Sequence, residues 1–521
     1  MVDARRERVP VVIGLDVGTT SAKAMAFATD GAEVGAGAEC GYPLLEPEHG
    51  RAEQDPDTVV RAATTVVRQA ATAARDAGAE VAGISVSTAM HALAGLDGEG
   101  RPLTPLVTWA DTRAAAEAER LRAEHPELHG RTGTPLHPMA PLPKLAWFRE
   151  HDPRTFEAVR RWVGVKELVL AGLTGECVVD HSVASGTGLM SLDRLEWDAE
   201  ALEIAGIDAG RLAPLVRATE TLRLGAGATG PTGLAEGTPV IAGGGDGPLA
   251  NLGVGAVRPG VAACSIGTSG ALRLVVEQPA TDPQGRVFCY ALTPGRWVVG
   301  GAINNGGVVL QWAGETLAPD LGPHPEEQLL ALAEHVPAGC DGLIMLPYLL
   351  SERAPHWSPL PRGAYIGLTR HHRREHLVRA ALEGVCQQLA LVLASMRESG
   401  NEVREVRATG GFARSPLWRR ILAGALGMPV GFPAGHQGSA FGAALLGMEA
   451  LGLVESIDVA ADLVQVDDVV EPDTAEAEAY AELLPTFGSL YGALEPTFRA
   501  LQRFGTHERP AAAEPKHEPS A

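Results

Sequence analysis

Lysine is nearly missing from this chain of 521 residues: among 43 basic side chains only Lys23, Lys144, Lys166 and Lys516 are lysine. The three in the body either mark places that need a compact point charge on a thin stem, or are chance survivors of a bias toward arginine. Cysteine is sparse too. Its six copies, Cys40, Cys177, Cys264, Cys289, Cys340 and Cys386, are scattered and form no CxxC pair. That argues against a disulfide frame and a cysteine-rich zinc site, and leaves buried thiols. Positive charge is short overall, with a net charge of −21. A nucleic-acid partner is therefore disfavoured, since phosphate contacts need basic surface; small anionic substrates need only local positive groups. No uninterrupted apolar run is long enough to span a bilayer. The opening MVDARRERVP has charge but no apolar stretch after it. No membrane partner and a cytoplasmic location are expected.

Several catalytic motifs are also missing. None of the lysines lies between a Gly and a Ser or Thr, which excludes a P-loop kinase, and no GxSxG elbow is present. GAGATG at 225–230 satisfies GxGxxG, but Pro231 follows at once and no helix is expected to start there, so a dinucleotide fold is rejected. HRREH at 372–376 matches HxxEH, yet its first half reads as a charged turn and no third zinc ligand is evident.

What is present begins with VVIGLDVGTTSAKAMAF at 11–27. Val11, Val12 and Ile13 open an apolar run that reads as a buried strand, ending at Asp16 and turning through Gly18, Thr19, Thr20 and Ser21. Backbone N–H groups and hydroxyls in such a turn can hold phosphate oxygens. A carboxylate at the strand end can hold the hydrated Mg²⁺ that accompanies them. SIGTSGA at 265–271 repeats the pattern after another apolar run. Two such loops, one in each half, suggest two similar domains facing one nucleotide.

Length alone calls for two or three domains. Asp30-Gly31 reads as a hairpin turn, and Asp55-Pro56 opens a helix that Gly78 closes. Val81–Ser87 and Val403–Ala408 read as strands; Thr112–Glu124, Glu375–Ser399 and Pro416–Leu426 read as helices. GSAFGAALLG at 438–447 reads as a helix of small residues suited to close packing. The expected order is a first domain over 10–256, a second over 257–455, a helical extension over 456–505 and a disordered tail over 506–521. Strands, hairpins and long helices together indicate an α/β chain with mixed sheets.

Longer ordered stretches go further. MAPLPKLAWFREH at 139–151, SERAPHWSPLPRGAYIGL at 351–368 and the positions His376, Leu377, Ala380 and Glu383 resemble the signatures of the FGGY carbohydrate kinases. That family has paired ribonuclease-H-like domains of the actin-like ATPase superfamily, with the active site in the cleft between them. GYPLLEPEHGRAEQDP at 41–56, TWADTR at 108–113, RTGTPLHPMAPLPK at 131–144, GVKELVLAGLTG at 164–175 and NLGVGAV at 251–257 are most similar to bacterial members that act on gluconate.

The resemblance implies phosphoryl transfer from MgATP to D-gluconate. Asp16 would hold Mg²⁺; Thr19, Thr20 and Ser21 would contact phosphates, with Lys23 compensating their charge. Gly267, Thr268 and Ser269 would form the second phosphate loop, with Gly410, Gly411 and Asn305 near the nucleotide. Asp246, in VIAGGGDGPLANLG, would be the catalytic base, or the N-cap of the helix that follows, or both. Met90, His91, Trp109 and Asp111 fall where family members contact the polyol; a core histidine, a core tryptophan and a helix-capping aspartate are the plainer alternatives. Arg113, Lys144 and Lys166 are candidate partners for the sugar-acid carboxylate. Closure of the two domains and a homodimer are further expectations. A pentulose kinase is the nearest rival reading, and an actin-like ATPase acting as a chaperone or switch is the rival of another class.

Overall fold

The computed structural model describes residues 9–322, 325–433 and 438–505, so the expected tail over 506–521 lies outside the described residues. Two large sheets organise the chain. The first is built from β1 (Pro10–Val17), β2 (Ser21–Ala28), β3 (Glu33–Gly41), β4 (Glu80–Thr88), β5 (Thr221–Arg223) and β6 (Pro239–Gly245), in the order β5-β6-β4-β1-β2-β3. The second is built from β7 (Val261–Ile266), β8 (Gly270–Val276), β9 (Phe288–Thr293), β10 (Arg296–Ile303), β11 (Glu405–Thr409), β12 (Val430–Pro433) and β13 (Val466–Val470), in the order β9-β10-β8-β7-β11-β12-β13.

The sheets share one plan. A central strand forms an antiparallel hairpin with its successor, β1 with β2 and β7 with β8. It then pairs in parallel with a later strand, β4 or β11, and a further parallel strand follows, β6 or β12. The chain is thus an α/β protein with two ribonuclease-H-like domains and mixed sheets. Val11, Val12, Ile13, Leu15 and Val17 are all buried, as expected of a strand covered on both faces.

The helices that flank the sheets and bear on the site are α1 (Pro56–Asp76), α2 (Pro141–His151), α3 (Val165–Thr174), α4 (Asp246–Gly253), α5 (Gly307–Leu317), α6 (Arg374–Glu398), α7 (Pro416–Leu426), α8 (Ser439–Ala450) and α9 (Thr474–Gly505). The Asp55 carboxylate caps α1 by accepting from Thr58 N at 2.7 Å. By length and composition α6 could cross a bilayer, a property masked in the sequence by Arg379 and Glu383; most of it is buried in the second domain, where those two charges pair at 2.7 Å. The small residues of α8 let it press on the first domain. A Cβ on Gly14 would meet Ala440 O at 1.9 Å, and one on Gly442 would meet Leu249 O at 2.0 Å.

Two expectations need correction. The stretch 456–505 is not purely helical, since β13 pairs with β12 before α9 begins. A short helix, Ala226–Thr232, does start inside GAGATG and accommodates Pro231. It follows β5, an antiparallel edge strand, and so lacks the parallel strand that a dinucleotide turn requires.

Candidate active site

The two hairpin tips face one cleft. Gly18 N donates to Ser21 O at 3.0 Å, closing a turn of four residues, and Gly267 N donates to Ser269 O at 2.9 Å, closing one of three. Thr20 and Thr268 are exposed at the tips. The first tip is braced by Tyr42 Oη on Gly18 O at 2.6 Å and by Trp109 Nε1 on Thr19 Oγ1 at 2.8 Å. The second rests on the start of α5, where Gly307 N donates to Gly267 O at 2.6 Å. Gly410, with φ of 120°, ends β11 against β7; a Cβ there would stand 2.2 Å from Ile266 O. Gly411 follows it in the next turn.

Below the tips is a cavity of about 230 Å³ lined by Thr19, Met90, His91, Trp109, Asp246 and Ser269, among others. Asp246 is the first residue of α4; Gly245, not Asp246, is the N-cap. Its Oδ1 accepts from Gly247 N at 2.7 Å. Burial and the nearby Asp16 carboxylate push it up to about 6, although Arg273 opposes the shift. The glycines before it have separate duties. Gly243 has φ of 73° and passes Val86 O with no room for a Cβ, while Gly245 leaves space for the Met90 thioether.

Asp16 is raised as well, chiefly by burial. Ser87 Oγ donates to its Oδ1 at 2.7 Å, and Ser439, at the start of α8, also bonds it. His91 is held at φ of 68°, a strained setting for a histidine. Its Nδ1 lies 2.7 Å from Gly186 O. A carbonyl only accepts, so Nδ1 carries the proton and Nε2 is a bare acceptor. Burial takes its pKa down to about 3, so the ring stays neutral.

Four expected substrate contacts are overturned, because their polar atoms are used within the protein. Asp111 is buried and accepts from Ala52 N, Arg113 N and the Arg113 guanidinium, which also pairs with Glu53. Asp111 and Arg113 thus fix the segment carrying Trp109. Lys144, on α2, is fully buried; its ammonium donates to His91 O and Thr108 O at 2.7 Å and to Met139 O at 2.8 Å. Burial pushes it down to about 7. Lys166, on α3, is equally buried and pairs with Asp180 at 3.4 Å. Its ammonium donates to Val86 O, Ala242 O and Gly244 O, where the β6 and β4 register slips just before Asp246. Both lysines therefore fill sites where a thin stem delivers one cation to several carbonyls.

Asn305 and Lys23 also need correction. The Asn305 side chain is buried, donating to Ser351 O and accepting from Leu349 N and Leu350 N; it shapes a loop and is not a nucleotide contact. Lys23 stands opposite Asp16 in the hairpin register but is exposed and pairs with Glu39 at 3.4 Å. Among the described residues, the ligand-type cluster close enough for a metal is Glu117, Glu150 and His151, far in sequence from HRREH.

Sequence reasoning missed Arg273, Arg353 and Tyr290 in the cavity wall. Arg273 had a signal: it is the one charge inside the apolar strand GALRLVV. Arg353 sits within SERAPHW, part of a family-like stretch whose pattern alone assigns it no role.

Known proteins share this two-domain fold. The model for the FGGY family of carbohydrate kinases, N-terminal domain, matches residues 11–253, and that for the C-terminal domain matches 262–451. The chain belongs to the FGGY family of carbohydrate kinases and is a sugar kinase. A gluconokinase of Bacillus subtilis (strain 168) is 40% identical over 93% of this chain and 96% of its own length. A xylulose kinase of the same organism is 30% identical over 95% and 99%. The crystal structure of gluconate kinase from Lactobacillus acidophilus matches with a TM-score of 0.89 at 33% identity, covering 95% of this chain and 100% of that one.

Proposed function

We propose that the chain phosphorylates D-gluconate with ATP, giving 6-phosphogluconate and ADP. The observation that carries the mechanism is Asp246: a carboxylate at a helix start, raised to about 6, in a cavity wall shared with both hairpin tips. The substrate follows the 40% identical gluconokinase.

Asp246 accepts the proton of the attacking hydroxyl as its oxygen bonds to the γ-phosphorus and the bridging oxygen leaves on ADP. Thr19, Thr20 and Ser21 on one side, and Gly267, Thr268 and Ser269 on the other, hold the phosphates. Gly410 and Gly411 bring the backbone close to the nucleotide. His91 Nε2 accepts from a sugar hydroxyl, and Trp109 supplies an apolar wall beside Met90. Asp16 fits a divalent cation, being a hard oxygen donor beside a second carboxylate with serine holding one of its oxygens. Bound Mg²⁺ there would neutralise charge on the polyphosphate.

Coupled ADP release with D-gluconate, D-xylulose, D-ribulose and glycerol tests the reading. Turnover that depends on gluconate supports it. Preference for a pentulose keeps the mechanism and replaces the substrate. Hydrolysis indifferent to every sugar removes the kinase assignment.

A further inference from the structure

Resting on the gluconate reading, we propose that Arg273 and Arg353 grip the substrate carboxylate and so select a sugar acid over a neutral sugar. Both guanidinium groups line the cavity. Among the described residues neither forms an ion pair with a carboxylate. The polar side-chain contact of Arg273 is Nη1 to Ser265 Oγ at 3.5 Å. Arg353 donates from Nη2 to Ile303 O at 3.2 Å and lies 4.9 Å over the Trp109 ring, while its Nε is buried without a partner. Glu352, its sequence neighbour, turns elsewhere and accepts from Asn304 N, Asn305 Nδ2 and the Arg353 backbone N–H.

Arginine does not shed its proton in such a place. Two like charges on one cavity repel, and each is costly without an anion. Among the described residues Asp246 is the one carboxylate in the cavity wall, so it balances one of the two. A sugar acid balances the other, and a carboxylate matches the planar fork of guanidinium. The neutral sugar leaves the cavity positive. A transferring phosphoryl group is also an anion, but its contacts are at the hairpin tips. The Arg273 guanidinium reaches past Ser265 Oγ to Gly247 beside Asp246, inside the cavity below the tips. His91 faces the same cavity with a bare Nε2, which welcomes a hydroxyl and repels a carboxylate. The carboxylate end is thereby directed to the arginines.

The test is steady-state kinetics on the full-length protein at saturating MgATP, with D-gluconate and with D-glucitol, the same carbon chain ending in an alcohol. Assayed at about pH 9, where Asp246 is ionised with or without Arg273, Arg273→Met should raise the gluconate KM about 100-fold while kcat moves less than about threefold, with Arg273→Lys recovering part of the loss. The preference for gluconate over glucitol should fall with it. An unchanged MgATP KM reports an intact fold; if Arg273→Met does not fold, Arg273→Gln carries the same readout. A gluconate KM within about threefold of the parent overturns the proposal. So does a collapse of kcat at unchanged gluconate KM, which would assign the guanidinium to the transferring phosphoryl group. A parent enzyme that turns over xylulose but not gluconate defeats the substrate reading itself, before any variant is compared.

Discussion

The two hairpin tips are built alike and equipped differently. Asp16 stands two residues before Gly18, and Ser265 stands two residues before Gly267. In the first domain β4 ends at Thr88 and β6 leads into Asp246; in the second their counterparts β11 and β12 lead into Gly410 and end at Pro433. On the proposed reading one ribonuclease-H-like unit supplies carboxylates, for a cation and a proton, along with its hydroxyls, and the other supplies backbone and hydroxyls alone, for phosphate. The first unit also contains Lys166, whose ammonium serves strand carbonyls where the β6 and β4 register slips, and Lys144, whose ammonium ties together the carbonyls of His91, Thr108 and Met139. A shared fold sets where a tip points, and a few side chains decide what it does.

Exchanging that equipment should show the difference. Asp16→Ser, which makes the first tip like the second, should lower kcat by about 10³-fold, comparable to the loss of a major electrostatic group, and should weaken the dependence of rate on Mg²⁺ in a titration. Full activity in Asp16→Ser would erase the distinction between the tips. Lys166→Met leaves Asp180 and three carbonyls unpaired in the interior, and should cost about 3–5 kcal/mol by denaturant unfolding. A loss below about 1 kcal/mol would mean that water replaces the ammonium. Ser265→Asp sets a carboxylate beside the second tip and within reach of Arg273, and should raise the MgATP KM about tenfold by like-charge repulsion and the gluconate KM with it, by pairing with the guanidinium. Lys23→Ala should change kcat/KM by less than about twofold, since an exposed pair with Glu39 contributes little; a loss above tenfold would restore Lys23 to the phosphate site.

Much of this division is legible in the sequence, where the chemistry is local. An apolar run, a carboxylate, a glycine and hydroxyls specify the first tip within a dozen residues, and Ser415 capping Trp418 N at 3.2 Å starts α7 at Pro416, where the pattern places it. Asp246 could be found because three glycines before it announce a crowded backbone. The basic residues could not be sorted. Arg113 is committed to Asp111 nearby, but Lys166 meets carbonyls of Val86 and Ala242, some 80 and 76 residues away. Only the folded sheet tells a cation that serves its own backbone from one, like Arg273, that faces a cavity. Gly225–Gly230 misleads for a related reason: Pro231 sits late in a short helix, where it forfeits one ladder bond, to the carbonyl of exposed Gly227, and local pattern does not reveal that length.

The proton-accepting role of Asp246 is tested most directly by the pH dependence of kcat/KM for parent and Asp246→Asn with D-gluconate. The parent should lose rate about tenfold per unit below an apparent pKa near 6, because the free carboxylate is the active form and burial beside Asp16 raises it. Asp246→Asn should lose about 10³-fold in kcat and show no such limb. It should also unfold at a higher temperature than the parent above pH 6: a raised folded pKa means the charged carboxylate destabilises the fold once pH exceeds that value. An Asp246→Asn protein within tenfold of parental kcat, with the same acid limb, would contradict Asp246 as the base.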